Sequence, residues 1–163
     1  MKPALMIIDL QKAWYNEASK ESMDNALHLL NHLEPMFKAK GWPVYYIQHQ
    51  NPAHGIVPGS AGFDWIDGIE PKGAPVFIKS YGNAFNKTDL LNQVLSDGVD
   101  TLVIGGYRAE NCILSTYRGA LDLDLTPILL RGAVAGPVED RIGFVESISE
   151  IVSFSALKRL LQL

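Results

Sequence analysis

Residues 102–113, with the sequence LVIGGYRAENCI, join an apolar run to the start of a helical segment through two adjacent glycines. Such a run predicts a β-strand that is buried on both faces, because no polar residue alternates with the apolar ones. Cys112, the only cysteine in the chain, follows in the first turn of the predicted helix. Backbone N–H groups point outward at the start of a helix, and the positive end of the helix dipole there favours a thiolate. Cys112 is therefore a candidate nucleophile.

Two charged residues end similar apolar runs elsewhere in the chain. Asp9 follows the run ALMII at residues 4–8, and Lys79 follows the run PVFI at residues 75–78. An acid, a cation and a thiol therefore lie at the ends of three predicted strands. These three side chains form a candidate catalytic group.

Short apolar runs alternate with segments of helical periodicity along the chain. Strands are predicted at residues 4–9, 43–48, 75–79, 100–105, 125–130 and 149–154. Helical spacing runs from Met23 to Phe37 and stops at Lys40 and Gly41, and further helices are predicted near residues 87–97, 110–122, 138–147 and 155–162. Strands that are apolar throughout are typical of a parallel sheet with helices on both faces. We therefore predict one α/β domain over residues 1–163, with three layers (α-β-α) around a Rossmann-like, mainly parallel six-stranded sheet.

The order of the strands decides which residues meet. Open parallel sheets bind ligands outside the carboxyl ends of the strands, at the point where the strand order reverses. If the order is 3-2-1-4-5-6, Asp9 lies next to the loop that carries Cys112. Lys79 begins two strands away, roughly 10 Å at the usual spacing, which its long side chain can largely span. The glycine- and proline-rich segment from residue 50 to 73 is predicted to be an active-site loop.

Composition excludes several classes of partner. The chain has 163 residues, is 47% hydrophobic and carries a formal net charge of −4. It therefore lacks the basic surface expected for binding nucleic acid or an anionic membrane, and we expect a small-molecule substrate. No apolar run approaches the roughly 20 residues of a membrane span, so we expect a cytoplasmic location. A single cysteine excludes an internal disulfide framework and a cysteine-only zinc site.

Four segments, in the right order, resemble the isochorismatase-like cysteine hydrolases, a family that includes nicotinamidases and carbamoylsarcosine amidases. Residues 4–11 (ALMIIDLQ) resemble the opening strand with its catalytic Asp. Residues 58–62 (PGSAG) and 78–85 (IKSYGNAF) resemble the Pro-Gly-Thr-x-Gly segment and the segment that begins with the catalytic Lys. Residues 106–113 resemble the Gly-x-x-Thr-x-x-Cys-Val segment. The likeness covers nearly the whole chain.

The resemblance implies a role for each member of the candidate group. Asp9 is then the general base and acid, Lys79 stabilises the charged cluster, and Cys112 attacks a carbonyl to form a thioester that water hydrolyses. The nearby ammonium and the helix start are expected to help the thiol to ionise at neutral pH.

The resemblance also implies features around the nucleophile. A cis peptide bond is expected between Tyr107 and Arg108, with the backbone N–H groups of Arg108 and Cys112 directed at a developing oxyanion. Trp14, Phe85 and Tyr107 are candidates for an apolar pocket, or for simple core packing.

No metal or other cofactor is predicted. Nicotinamidases hold a metal with one Asp and two His near the end of the second strand, but residues 48–54 (QHQNPAH) contain no Asp. His49 and His54, lacking a third ligand, are interpreted as loop residues.

These observations predict a cysteine-dependent hydrolase of a small amide-like C–N bond. Three alternatives remain: a vinyl-ether hydrolase of the isochorismatase type, a catalytically silent relative that binds a metabolite or serves as an assembly subunit, and a redox-sensing thiol. Intact Asp9, Lys79 and Cys112 disfavour the silent relative, and the lack of a second cysteine disfavours the redox sensor. Relatives are commonly dimers or tetramers, so a homo-oligomer is expected.

Overall fold

Six parallel strands form the central sheet of the computed structural model, which describes residues 1–163. The strands are β1 (Pro3–Ile8), β2 (Val44–His49), β3 (Val76–Lys79), β4 (Thr101–Tyr107), β5 (Thr126–Ala135) and β6 (Ile151–Val152). Their order is β3-β2-β1-β4-β5-β6, and every neighbouring pair is parallel. The predicted topology is confirmed, with β1 and β4 side by side where the order reverses.

Five α-helices cover the two faces of this sheet. They are α1 (Lys20–Ala39), α2 (Leu90–Ser96), α3 (Leu114–Leu121), α4 (Glu139–Ser147) and α5 (Phe154–Leu161). Helices α1 and α5 enclose one apolar cluster against the sheet, and α2, α3 and α4 enclose another on the opposite face. The three-layer prediction is confirmed. None of the helices has the length and apolar character needed to cross a membrane.

The continuous apolar runs are explained by these two clusters. Ala4, Met6 and Ile8 of β1 pack on the side of α2, α3 and α4, whereas Leu5 and Ile7 pack on the side of α1 and α5. All five side chains are fully buried. A strand with a core on each face needs apolar residues at every position.

Some element bounds differ from the predictions. Strand β5 continues to Ala135 instead of ending near residue 130, and β6, at the edge of the sheet, has only two residues. Helix α2 begins at Leu90 rather than near residue 87. Lys87 has a φ of +56°, a left-handed conformation that no regular α-helix contains. Lys87 therefore lies in a turn that precedes α2.

Gly106 lets the ends of β1 and β4 approach closely. Its φ is +127°, and a Cβ at this position would lie 2.0 Å from the carbonyl oxygen of Ile8. No side chain fits at that distance without moving the backbone of β1. Because Asp9 follows Ile8 and Cys112 follows β4, the glycine brings the two halves of the site together.

We expect Gly106→Ala to be strongly destabilising. Backbone strain at positive φ adds to the clash with Ile8, so the free energy of unfolding should fall by about 3 kcal/mol or more. Gly143→Ala is the matched control, because Gly143 lies in α4 with nothing within 4 Å of the added Cβ. Alanine there should raise stability by up to about 1 kcal/mol. Urea unfolding of both variants measures the difference, and equal midpoints would contradict the close approach.

The segment from residue 50 to 73 is anchored by three buried side chains. Phe63, Ile66 and Ile69 are buried, and the Phe63 carbonyl accepts hydrogen bonds from the side chains of Gln11 and Gln48. The prediction of an active-site loop therefore applies to the start of this segment, since Asn51 alone of its residues lines the cavity described below.

Candidate active site

Asp9, Lys79 and Cys112 meet at the carboxyl ends of β1, β3 and β4. Lys79 Nζ donates to Asp9 Oδ2 at 2.7 Å and to Cys112 Sγ at 3.1 Å. The three residues are separated by 33 to 103 positions in the sequence, and the parallel sheet brings them together. The structure therefore places the predicted group as one cluster.

Asp9 has an unusual backbone and a free carboxylate oxygen. Its φ is +52°, a left-handed conformation that Asp tolerates better than most residues, and its backbone N–H donates to the Ile47 carbonyl. The carboxylate is buried, and Oδ1 accepts no hydrogen bond. A buried carboxylate oxygen without a donor is poised to accept a proton or an N–H group from a ligand.

All three N–H bonds of the Lys79 ammonium have partners within the protein. Besides Asp9 and Cys112, it contacts Nδ1 of His49 at 3.1 Å. An ammonium has three N–H bonds, so these three contacts saturate it. Lys79 therefore positions the other side chains, and polarisation of a substrate carbonyl is left to other donors. The backbone N–H of Arg108 donates to no other backbone group.

His49 is a site residue that the sequence analysis missed. It is the last residue of β2 and pairs in register with Lys79. Burial lowers its pKa, and the Lys79 charge lowers it further, so the ring is neutral and accepts at Nδ1. His54 is exposed, as expected for a loop residue. The strand-end rule that singled out Asp9 and Lys79 would have found His49, which directly follows the predicted second strand.

The thiol of Cys112 does not ionise readily. Burial, and next the negative charge of Asp9, raise its pKa to about 12, although Lys79 acts in the opposite direction. Burial and the Asp9 charge therefore oppose the easily formed thiolate that the sequence predicts, and Lys79 favours it. A thiolate beside the Asp9 carboxylate would put two negative charges next to one buried ammonium. In the resting site, burial therefore favours a neutral thiol beside the Asp9–Lys79 pair.

We expect alkylation of Cys112 by iodoacetamide to accelerate with pH up to at least pH 10, with no plateau near the ordinary thiol pKa of about 8.5. Asp9→Asn removes the negative neighbour, lowers the Cys112 pKa and should move the rise to lower pH. Rates are followed by intact mass, since the chain has one cysteine. A plateau below pH 8 in the unmodified protein would contradict the assigned protonation.

A small cavity of about 150 Å³ opens beside the cluster. Its lining residues are Asp9, Trp14, His49, Asn51, Tyr107, Arg108, Asn111 and Cys112. The rings of Trp14 and Tyr107 stack with centroids 6.0 Å apart. Two predicted pocket residues thus reach the cavity, whereas Phe85 packs against the core on the side of α2 and α3. The Tyr107–Arg108 peptide bond is cis, as the resemblance implies.

The potential metal ligands do not fit a metal. Asp9, His49 and Cys112 each offer a ligand atom, and these atoms lie within 4.8 Å of one another. Each of the three side chains, however, already contacts the Lys79 ammonium. A metal ion bound by these three atoms would have to displace this buried cation.

The fold and the site define a class of doubly wound α/β protein with an Asp–Lys–Cys group at the switch point of the sheet. The sequence profile of the isochorismatase domain matches residues 3–142. The chain belongs to the isochorismatase family of hydrolases.

Relatives of known sequence agree with this assignment, and a solved structure shares the fold. The uncharacterized isochorismatase family protein YddQ of Bacillus subtilis is 30% identical, over 75% of this chain and 71% of that protein. The N-carbamoylsarcosine amidase of an Arthrobacter species is 25% identical, over 94% of this chain and 71% of the amidase. The crystal structure of an isochorismatase family protein from Desulfovibrio vulgaris superposes with a TM-score of 0.87 at 23% identity, covering 99% of both chains.

Proposed function

We propose that the protein is a cysteine-dependent hydrolase of a small amide-like C–N bond and that it acts through a thioester on Cys112. One observation carries the proposal. Lys79 holds the thiol and the carboxylate of Asp9 in one buried cluster, in which Asp9 Oδ1 has no partner. The similarity to an N-carbamoylsarcosine amidase supports a C–N bond as the one that is cleaved.

In the first half of the proposed reaction, Cys112 Sγ attacks the carbonyl carbon and its proton passes to Asp9 Oδ1. The C–S bond forms as the carbonyl π pair moves to oxygen, where the Arg108 backbone N–H stabilises it. When the tetrahedral intermediate collapses, the C–N bond breaks and Asp9 returns the proton to the leaving nitrogen. The products of this half are a free amine and a thioester.

In the second half, water attacks the thioester carbonyl and gives a proton to Asp9. The C–S bond then breaks, the acid leaves, and the proton returns to sulfur. Lys79 keeps one positive charge beside the single negative charge that moves between Asp9, sulfur and the oxyanion. This balance avoids an unpaired buried charge at every step.

Screening of small amides, ureas and carbamoyl compounds tests the proposal. We expect release of an amine or ammonia, and a Cys112 acyl adduct visible by intact mass with a slow substrate. Hydrolysis of a vinyl ether without such an adduct, or no turnover in the whole panel, would contradict it. The second outcome favours a catalytically silent relative.

Activity is expected to survive chelation. The ammonium of Lys79 already lies among the only clustered ligand atoms of the site, so no metal is proposed in the reaction. Dialysis against a chelator should leave kcat unchanged, and metal content should be far below one ion per chain. Loss of activity on chelation, restored by zinc or iron, would overturn this expectation.

We further propose that residues 1–163 act as one domain in a cytoplasmic homo-oligomer, a dimer or tetramer, with a small-molecule substrate. Static light scattering at micromolar concentration tests the oligomer, which a monomeric mass would exclude.

A further inference from the structure

Two histidines lie four residues apart on the outer face of α1. His28 and His32 are both exposed, whereas the opposite face of the helix is buried against the sheet. The buried residues are Met23, Ala26, Leu30, Leu33 and Phe37. Both histidines belong to the interior of this 20-residue helix, so their backbone is held by packing in which the imidazoles take no part.

The two imidazole rings lie at the separation that a shared metal ion requires. Their centroids are 4.4 Å apart. A ligating nitrogen lies about 2.1 Å from a transition metal and roughly 1.2 Å from its ring centroid, so two rings in adjacent coordination positions have centroids roughly 4.5 Å apart. Residues four apart are neighbours on a helix surface, so both rings reach one ion without a change in the backbone.

The hydrogen bond made by His32 leaves its second nitrogen free for a metal. Nδ1 of His32 lies 2.7 Å from the carbonyl oxygen of His28, which can only accept, so Nδ1 carries the proton. Nε2 of the neutral ring then keeps its lone pair. Metal-ligating histidines commonly donate their other N–H to a backbone carbonyl, which fixes the tautomer and the ring orientation. Because His28 is exposed, its ring can turn a nitrogen toward the same ion.

We propose that His28 and His32 form a surface site for a late first-row transition metal, with two imidazole nitrogens as ligands and water in the remaining positions. Imidazole suits Ni²⁺, Cu²⁺ and Zn²⁺, and Cu²⁺ leads their general order of affinity. No residue of α1 lines the active-site cavity. The site is therefore separate from the proposed hydrolase chemistry, and the inference does not depend on it.

Calorimetric titration of the untagged protein with Ni²⁺ tests the site. We expect one ion per chain. His28→Gln and His32→Gln should each weaken binding about tenfold or more, because each removes the gain from a second ligand that is already held in place. His54→Gln is the matched control, since it removes one exposed imidazole from a loop and should leave the affinity unchanged.

Ni²⁺ should also stabilise the folded chain, because the unfolded chain does not hold the two rings together. With Ni²⁺ in excess over its Kd, the urea midpoint should rise in the unmodified protein and in His54→Gln. It should not rise in the double variant His28→Gln/His32→Gln. Both substituted side chains are exposed, so the double variant should fold like the unmodified protein.

Three outcomes would overturn the inference. A Ni²⁺ affinity that neither His28→Gln nor His32→Gln weakens would place the ion elsewhere in the molecule. Binding that does not saturate below about 1 mM Ni²⁺ would show that the two rings do not act together. An equal loss of affinity in His54→Gln would show that binding does not depend on the paired imidazoles of α1.

Discussion

Cys112→Ala should abolish hydrolysis of any substrate found for this protein. The variant lacks the atom that forms the thioester, so kcat should fall by at least about 10³-fold. The fold should persist, because the change deletes one sulfur at the turn between β4 and α3. The measurements are steady-state turnover and urea unfolding.

Two controls sharpen this result. Asp9→Asn removes the proton acceptor and should lose turnover to a similar extent, and the double variant of Asp9 and Cys112 should be little worse than either single one. Groups that act as a unit give such non-additive losses. Native turnover in Cys112→Ala would show that the nucleophile is assigned wrongly.

Lys79→Met should cost about 3 to 5 kcal/mol of unfolding free energy near neutral pH. The side chains of Lys79 and Asp9 are 0% and 2% exposed, and removal of the ammonium leaves a buried carboxylate without its counter-ion. Lys12→Met is the matched control. Lys12 pairs with Asp67 at the surface, where the two side chains are 47% and 98% exposed, so its loss should cost at most about 1 kcal/mol.

The cost of Lys79→Met should depend on pH in a definite direction. Burial raises the Asp9 pKa above its ordinary value even with Lys79 present, and loss of the ammonium raises it further. Between the Asp9 pKa of the unfolded chain and that of the folded variant, the folded variant binds a proton that the unfolded chain has released. The free energy of unfolding of the variant therefore falls as pH rises through this interval.

Urea unfolding at pH 5 and pH 8 measures this dependence. We expect the deficit of Lys79→Met to be larger at pH 8. The double variant Asp9→Asn/Lys79→Met should regain part of the loss, since no buried charge remains. A Lys79→Met protein as stable as the unmodified one at pH 8 would contradict the buried ion pair.

The fold could be predicted because each strand and helix shows its burial pattern in its own run of neighbouring residues. A strand such as β1 is apolar at every position, since a core lies on each side of it. That pattern, repeated between helical segments, indicates a covered parallel sheet without any distance being known. The short edge strand β6 was predicted too long because only Leu129 and Leu130 of β5 pair with it, and no local signal marks where pairing stops.

The candidate site was predicted in part. Asp9, Lys79 and Cys112 could be found because each follows an apolar run and because their surroundings resemble a known family. His49 was not assigned its place, although it lines the cavity and contacts Lys79. His49 follows an apolar run as Asp9 does, and the sheet shows in addition that its ring contacts Lys79.

The residue pattern alone determined that an acid, a cation and a thiol lie at strand ends on one edge of a parallel sheet. Only the tertiary structure decided which atoms pair and which protonation state of the thiol burial favours. Lys79 reaches Asp9, His49 and Cys112 at once, and burial with the Asp9 charge keeps the thiol neutral. The physical reason is that hydrophobic periodicity is a property of neighbouring residues, whereas desolvation and Coulomb energy depend on distances between side chains far apart in the chain.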